Sequence, residues 1–143
     1  MLSPRNVWLF IGAILGGFAA AAGSFGMHGL KAYLAADGSL SDEDMHISDL
    51  WRQGSRYQMY HALALMVVGL LAARRSSRSL HLAAWAMTVG TLIFSGGLYA
   101  FVLTGQRWLG AVVPIGGVLM IVGWIMLAAA AYMDGSSAKG NPP

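Results

Sequence analysis

The chain has 143 residues, of which 57% are hydrophobic and 10% are charged, and its formal net charge is +3. A soluble domain usually carries about 25% charged residues, so this composition is typical of a protein that resides in a bilayer. The chain has no cysteine, which excludes disulfides and thiolate chemistry, and its basic residues form no patch with interleaved aromatics, which argues against a nucleic-acid partner.

Four long apolar segments follow one another along the chain, and each approaches the ~20 residues that a helix needs to cross a bilayer. They lie at about 7–27, 54–73, 80–101 and 108–132. We therefore predict an all-α fold, an integral membrane four-helix bundle that forms a single domain over residues 1–134. The tail at 135–143, rich in Ser, Gly and Pro, is predicted to be disordered.

The first segment carries small residues at a spacing that lets two helices approach closely, namely Gly12, Gly16 and Gly17. Packing inside the bundle is one use of these residues, and homo-oligomerisation is the alternative. The run Ala20-Ala21-Ala22 is similar to a signal-peptide cleavage site. The apolar segment is long for a signal core, so we expect it to be a membrane helix that is retained.

The loop from His28 to about Arg56 is the longest polar segment, and it contains two local signals. Asp37-Gly38 is typical of a turn. Ser41 precedes three acidic residues, 42–44, which predicts a helix that starts there, since serine caps a helix and acids complement the positive end of its dipole. We expect a short interfacial helix that runs into the second span.

Charge at the segment ends predicts the orientation. With four spans, both termini and the short loop between the second and third spans lie on one side. That loop carries Arg74, Arg75 and Arg78, and the positive-inside rule gives most weight to short basic loops. Both termini are therefore predicted to be cytoplasmic.

Polar residues gather in the outer half of the spans. Counting 1.5 Å per residue from the inner charges places five candidate site residues and Pro114 there, and a sixth candidate, Tyr57, lies four residues before His61 on the same helix face. The six candidates are His28, Arg56, Tyr57, His61, Ser95 and Tyr99. Ionisable groups inside a membrane are costly and often mark a site. The alternative is structural: Arg56 reaches headgroups, and His61 hydrogen-bonds a hydroxyl such as that of Ser95 or Tyr99.

Pro114, Gly116 and Gly117 lie in the outer part of the fourth span and predict a kink or break in that helix. Broken helices form transporter sites, although proline and glycine are also common in ordinary membrane helices. The sequence has no catalytic triad pattern and no set of metal ligands within the spans, so we expect no catalytic residue, metal or cofactor.

A short echo links the second and fourth spans. Met66-Val67-Val68-Gly69 is similar to Met120-Ile121-Val122-Gly123. Two repeated helical hairpins would produce this echo, and so would chance similarity between apolar helices.

Four motifs in a fixed order carry a family resemblance. They are Gly26-Met27-His28-Gly29-Leu30, the stretch 56–64, Phe94-Ser95-Gly96-Gly97-Leu98-Tyr99, and, in the fourth span, Pro114-Ile115-Gly116-Gly117 with Gly123-Trp124. In this order they resemble the small membrane family of unknown function that includes bacterial YgdD and vertebrate transmembrane protein 256. The resemblance implies a four-helix protein, in the cytoplasmic (inner) membrane for a bacterial member, and implies no catalytic activity, cofactor or substrate.

These observations favour a membrane protein that is not an enzyme and acts by association. It would be an accessory subunit of a larger membrane complex or a homo-oligomer, with membrane lipids as its surroundings. Two alternatives stay open. One is permeation of a solute, ion or proton through the outer-half residues, and the other is lipid or quinone binding at the outer face.

Overall fold

The structure, a computed structural model, describes residues 6–34, 41–74 and 77–139. Its helices, in chain order, are α1 (Val7–Phe25), α2 (Lys31–Leu34), α3 (Asp42–Arg74), α4 (Arg78–Thr104) and α5 (Trp108–Lys139). A π-helical turn, Gly26–Leu30, joins α1 to α2. These residues contain no strand, which confirms the predicted all-α fold. The predicted turn Asp37-Gly38, Arg75 of the basic loop and residues 140–143 of the predicted tail lie outside the described residues.

Three stretches of the described helices are long and apolar enough to cross a membrane. They are Val7–Leu34, Arg78–Thr104 and Trp108–Met133. Helix α3 is less apolar, because its first third is charged and its inward face carries Gln58 and His61. Its 33 residues span ~50 Å, so the apolar part can cross a ~30 Å core while the first third lies outside. The crossing of α3 stays a prediction.

The start of α3 has the cap that its sequence predicts. The Ser41 hydroxyl accepts a hydrogen bond from the Asp44 backbone N–H (3.1 Å), and the Asp44 carboxylate accepts one from the Ser41 backbone N–H (3.0 Å). The two residues thus satisfy each other's free amides, as in a capping box. The polar segment that precedes the second span forms the first part of α3. The π-helical turn Gly26–Leu30 and α2 come before it in the chain.

The long helices pack mainly in chain order: α1 against α3, α3 against α4, and α4 against α5. The core lies where these helices meet, and its fully buried large side chains include Leu65 and Val68 of α3 and Met87 of α4. Helix α4 starts at Ser77, whose hydroxyl accepts from the Leu80 backbone N–H (3.2 Å). It ends at Gly105, where φ is 67°, a left-handed conformation that favours glycine.

Two helix crossings are so close that only glycine fits. A Cβ atom on Gly12 of α1 would lie 2.7 Å from the carbonyl oxygen of Ala62. A Cβ atom on Gly116 of α5 would lie 2.5 Å from the backbone nitrogen of Phe94. Of the other predicted packing glycines, Gly16 has room for an ordinary contact and Gly17 faces open space. The three glycines therefore do not act together on one surface.

Helix α5 differs from the break predicted at Pro114, Gly116 and Gly117. It runs without interruption from Trp108 to Lys139, with Pro114 inside it. Pro114 is the seventh residue of this helix, so it removes one bond of the ladder and crowds the carbonyl of Gly110, and the predicted kink there stays a prediction. Gly116 serves the close approach to α4, whereas a Cβ on Gly117 would make an ordinary contact with Phe94, 3.7 Å away.

Candidate functional site

The inward face of α3 carries a polar seam that we define by Trp51, the Gly54 carbonyl, Gln58 and His61. Spacings of three and four residues place these groups on one side of the helix. The side chains of Trp51, Gln58 and His61 are all buried. A polar group in such a place is costly unless it is hydrogen-bonded, so the partners of each one decide what the seam can do.

Trp51 fixes the outer end of α1 against α3. Its indole N–H donates to the carbonyl oxygen of Ala22 (2.7 Å), and its ring lies against the position where Gly26 would carry a Cβ. The ring also packs on Tyr99 of α4, with centroids 4.6 Å apart, and on Phe25 at 5.4 Å. One side chain therefore joins α1, α3 and α4.

Gln58 makes the same three-helix connection two turns further along α3. Its amide N–H donates to the carbonyl oxygen of Leu15 on α1 (2.9 Å), and its amide oxygen accepts from the Tyr99 hydroxyl on α4 (3.1 Å). Ser95 of α4 donates to the Gly54 carbonyl oxygen (2.8 Å). Both predicted hydroxyl residues of α4 are thus bonded to the seam.

His61 has a partner on each ring nitrogen. The indole N–H of Trp124 on α5 donates to Nε2 (3.1 Å), and Nδ1 lies 2.7 Å from the Tyr57 carbonyl oxygen. An indole can only donate, so Nε2 carries no proton, and Nδ1–H must donate to the carbonyl. The arrangement therefore holds a neutral imidazole in one tautomer, and the Tyr57 ring lies nearly parallel to it, with ring centroids 6.5 Å apart.

The six predicted site residues do not form one cluster. Tyr57 and His61 group with Trp124, while Ser95 and Tyr99 bond to other parts of the seam. His28 lies in the π-helical turn and is exposed. Arg56 is exposed on the outer surface of α3 and takes no part in the seam hydrogen bonds.

Sequence reasoning missed Gln58 and Trp124. Gln58 lies three residues before His61, a spacing that puts both on one helix face and could have revealed it. Trp124 lies on a different helix, and no local spacing connects it to His61. A second missed contact lies at the inner end, where the buried Trp8 donates to Nδ1 of His81 (2.8 Å).

An apolar groove of about 270 Å³ lies between α1 and α4 and borders the polar seam at Gln58. Gln58 and Tyr99 form its floor. Its walls come from α1 and α4 and consist of Ile14, Leu15, Phe18, Thr91, Leu92 and Gly96. A Cβ added to Gly96 would meet nothing within 4 Å, so the groove has free space beside that residue.

The chemistry available at the seam is hydrogen bonding between helices. Over residues 6–34, 41–74 and 77–139, no three metal-ligating side chains come together. In the same ranges, the Ser48 hydroxyl is the buried side-chain polar atom that lacks a partner. The polar side chains of the seam are bonded to backbone carbonyls or to one another, so they hold α1, α3, α4 and α5 in place.

Comparison with known proteins points to one family. Residues 22–117 match the family model described as a protein of unknown function (DUF423). A UPF0382 membrane protein of Staphylococcus aureus is 40% identical over 127 residues, which cover 89% of this chain and 96% of the relative. A relative with the same designation in Staphylococcus epidermidis is 43% identical over 125 residues, 87% of this chain and 94% of its own length.

A third relative is the UPF0382 membrane protein YwdK of Bacillus subtilis. It is 40% identical over 127 residues, which cover 88% of this chain and 96% of the relative. No solved structure matches the chain. The similarity extends over nearly the full length of these relatives.

Proposed function

The chain belongs to the DUF423 family, its relatives are named as membrane proteins, and we propose that it acts without catalysis, by associating with other protein chains in the plane of the bilayer. It is an accessory subunit of a larger membrane complex or a homo-oligomer. We also propose that DUF423 is the family that the sequence motifs resemble, the one that includes YgdD and transmembrane protein 256. The location is the bacterial cytoplasmic membrane, with four spans and both termini inside.

The main support for this proposal is the contrast between the hydrogen-bonded polar interior of the bundle and its exposed apolar surface. The polar seam is committed to internal hydrogen bonds, so it offers few free groups to a substrate. The outer surfaces of the terminal spans, α1 and α5, carry many exposed large apolar side chains, including Phe10, Phe18, Ile115 and Ile125. These exposed apolar surfaces can pack against other membrane helices, which supports a function based on contact between protein chains.

Proton relay or permeation is the weaker alternative. A relay through His61 would have to place a proton on Nε2, which already accepts from Trp124. The second partner, the Tyr57 carbonyl, is a backbone acceptor of the same helix, which does not take up and pass on a proton. Arg56, which was predicted at a similar depth, is exposed and takes no part in the hydrogen bonds of His61.

Native mass spectrometry of the protein, released gently from its own membranes, tests the association. The proposal predicts species heavier than the 15.1 kDa chain. Masses that are multiples of the chain indicate a homo-oligomer, and other masses indicate a complex with different subunits. A single-chain species at all protein concentrations and in every mild detergent would contradict the proposal.

Binding of a lipid chain is a second candidate function, which the groove between α1 and α4 favours. Its walls are apolar, and Gly96 leaves space for a hydrocarbon chain at the depth where the bilayer supplies such chains. The variant Gly96→Leu should fill the groove and reduce the amount of lipid that copurifies. Val67→Leu, on the lipid-facing side of α3, serves as the control, and equal retention by both variants would exclude the groove as the site.

A further inference from the structure

The two halves of the chain form hairpins with the same internal contacts. In the first hairpin, a Cβ on Gly12 of α1 would lie 2.8 Å from Cγ of Met66 on α3. In the second, a Cβ on Gly90 of α4 would lie 2.8 Å from Cγ of Met120 on α5. The corresponding positions are 78 residues apart in the first helices and 54 residues apart in the second helices.

A second pair of contacts has the same offsets. A Cβ on Gly69 would lie 2.7 Å from the backbone nitrogen of Leu9, and a Cβ on Gly123 would lie 3.2 Å from the backbone nitrogen of Met87. Gly69 and Gly123 end the echoed segments 66–69 and 120–123. Because the echo in sequence coincides with an echo in contacts, the chain consists of two hairpins built in one register.

The second hairpin packs against the first through α4 and α3. Ser95 of α4 donates to the Gly54 carbonyl oxygen of α3, and Tyr99 packs on Trp51. This face of α4 is buried, with Thr91, Ser95 and Tyr99 as its members. The equivalent positions on α1, 78 residues earlier, are Ala13, Gly17 and Ala21, and all three are exposed.

The complementary face shows the same contrast. Gly54 and His61 are buried on α3, where the next hairpin covers them. Their equivalents on α5, 54 residues later, are Trp108 and Ile115, which are 63% and 57% exposed. Helix α5 therefore leaves open the face that α3 uses, and α1 leaves open the face that α4 uses.

We propose that a second copy of this chain completes both faces, with its α1 packed on α5 of the first copy as α4 packs on α3 within the chain. This inference rests on the proposed association and names its partner and its surface. The large side chains of α5, Trp108 and Ile115, lie over small residues of the partner's α1, which permits the close approach that membrane helices need. The hairpin interface within the chain is the template for this contact.

The proposed contact joins two different surfaces, α1 of one copy and α5 of the next. Such a heterologous interface leaves one face of each kind free at the ends of a dimer. It therefore continues to further copies, either as a closed ring or as an open row. A symmetric dimer through two identical faces is not expected.

Disulfide crosslinking in membranes tests the contact, and the natural chain contains no cysteine that could interfere. The equivalents of Ser95 and Gly54, which are in direct contact, are Gly17 and Trp108. Two single variants, Gly17→Cys and Trp108→Cys, are coexpressed and oxidised. Gln53→Cys, exposed at the depth of Gly54 on α3, replaces Trp108→Cys in the control pair.

The Gly17 and Trp108 pair should give a species of twice the 15.1 kDa chain at several times the yield of the control pair. Both changes in one chain should give a ladder of higher multiples. A yield no greater than that of the control would overturn the inference. Thermal unfolding of each variant shows whether the chain still folds.

A second variant tests the same surface without crosslinking. A Cβ added at Gly17 would meet nothing within 4 Å, and the position is exposed, so Gly17→Leu should leave the folding of the single chain intact. It should lower the fraction of multimers in native mass spectra several-fold, whereas Val67→Leu should leave it unchanged. Multimers that persist in Gly17→Leu would refute this surface. A complex with other subunits and no crosslink would refute only the self-contact, and a lone chain throughout would refute association as well.

Discussion

Adjacent glycines on α5 provide a strict test of the packing between α4 and α5. A methyl group at position 116 would lie 2.5 Å from the backbone nitrogen of Phe94 and 2.7 Å from the carbonyl oxygen of Gly90. Neither backbone atom can move without moving its helix. At position 117, a methyl group would meet only the Phe94 ring at 3.7 Å, which is ordinary van der Waals contact.

The variants Gly116→Ala and Gly117→Ala share the same gain in helix propensity, about 1 kcal/mol. Overpacking costs about 1–3 kcal/mol and applies only to Gly116→Ala. Because both clashing atoms belong to the backbone, we take the upper end of the overpacking cost, about 3 kcal/mol. The gain in helix propensity offsets about 1 kcal/mol of it, so Gly116→Ala should be destabilised by about 2 kcal/mol. Gly117→Ala should be stabilising by up to about 1 kcal/mol.

For a chain of this size, 1 kcal/mol corresponds to about 2–4 °C in Tm. The Tm of Gly116→Ala should therefore fall by several degrees, while that of Gly117→Ala should stay equal or rise. Tryptophan fluorescence during heating in a mild detergent measures both, since the chain has 5 tryptophans. A Gly116→Ala protein as stable as Gly117→Ala would refute the close approach of the two helices.

Three further predictions concern hydrogen bonds. Trp124→Phe removes the donor to His61 and should lower the unfolding free energy by about 1 kcal/mol in denaturant titrations, and no loss would contradict that bond. Tyr99→Phe should cost a similar amount, about 1 kcal/mol, and wild-type stability would contradict its bond to the seam. Hydrogen bonds from Ser41 lower the pKa of Asp44 below 3.8, so this cap stabilises α3 above that pH and is lost as the pH falls through the lower, folded value. The protection of the first-turn amides, that is, their exchange rate relative to the intrinsic rate at the same pH, should fall there, and a Ser41→Ala protein with the same pH profile of protection would refute the cap.

The sequence was sufficient for features that repeat along the chain or depend on neighbours. Apolar length predicts the helices, and Ser41 followed by acids predicts the start of α3, because capping is local. Depth counting predicted how far along its span His61 lies, but it fixed only that one coordinate, and the burial of His61 depends on how α3 is rotated. Its predicted partners, Ser95 and Tyr99, bond elsewhere, and its actual partner is Trp124 on α5.

The role of each glycine depends on what lies opposite, which the sequence does not reveal. Gly12 and Gly17 are five residues apart in the same helix, yet one touches a backbone carbonyl and the other faces open space. Similarly, Pro114 and Gly116 predict a kink or break, whereas α5 shows no break and Gly116 lies in close contact with the backbone of α4. In both helices, helix rotation decides the outcome, and rotation is set by tertiary contacts.

The most direct test of the account is the native mass spectrum of the protein released gently from its own membranes. If the protein acts by association, the main species are assemblies. If copies associate through α1 and α5, the masses of these assemblies are multiples of 15.1 kDa. A spectrum that contains only the single chain, in every mild detergent and at every protein concentration, would contradict the account.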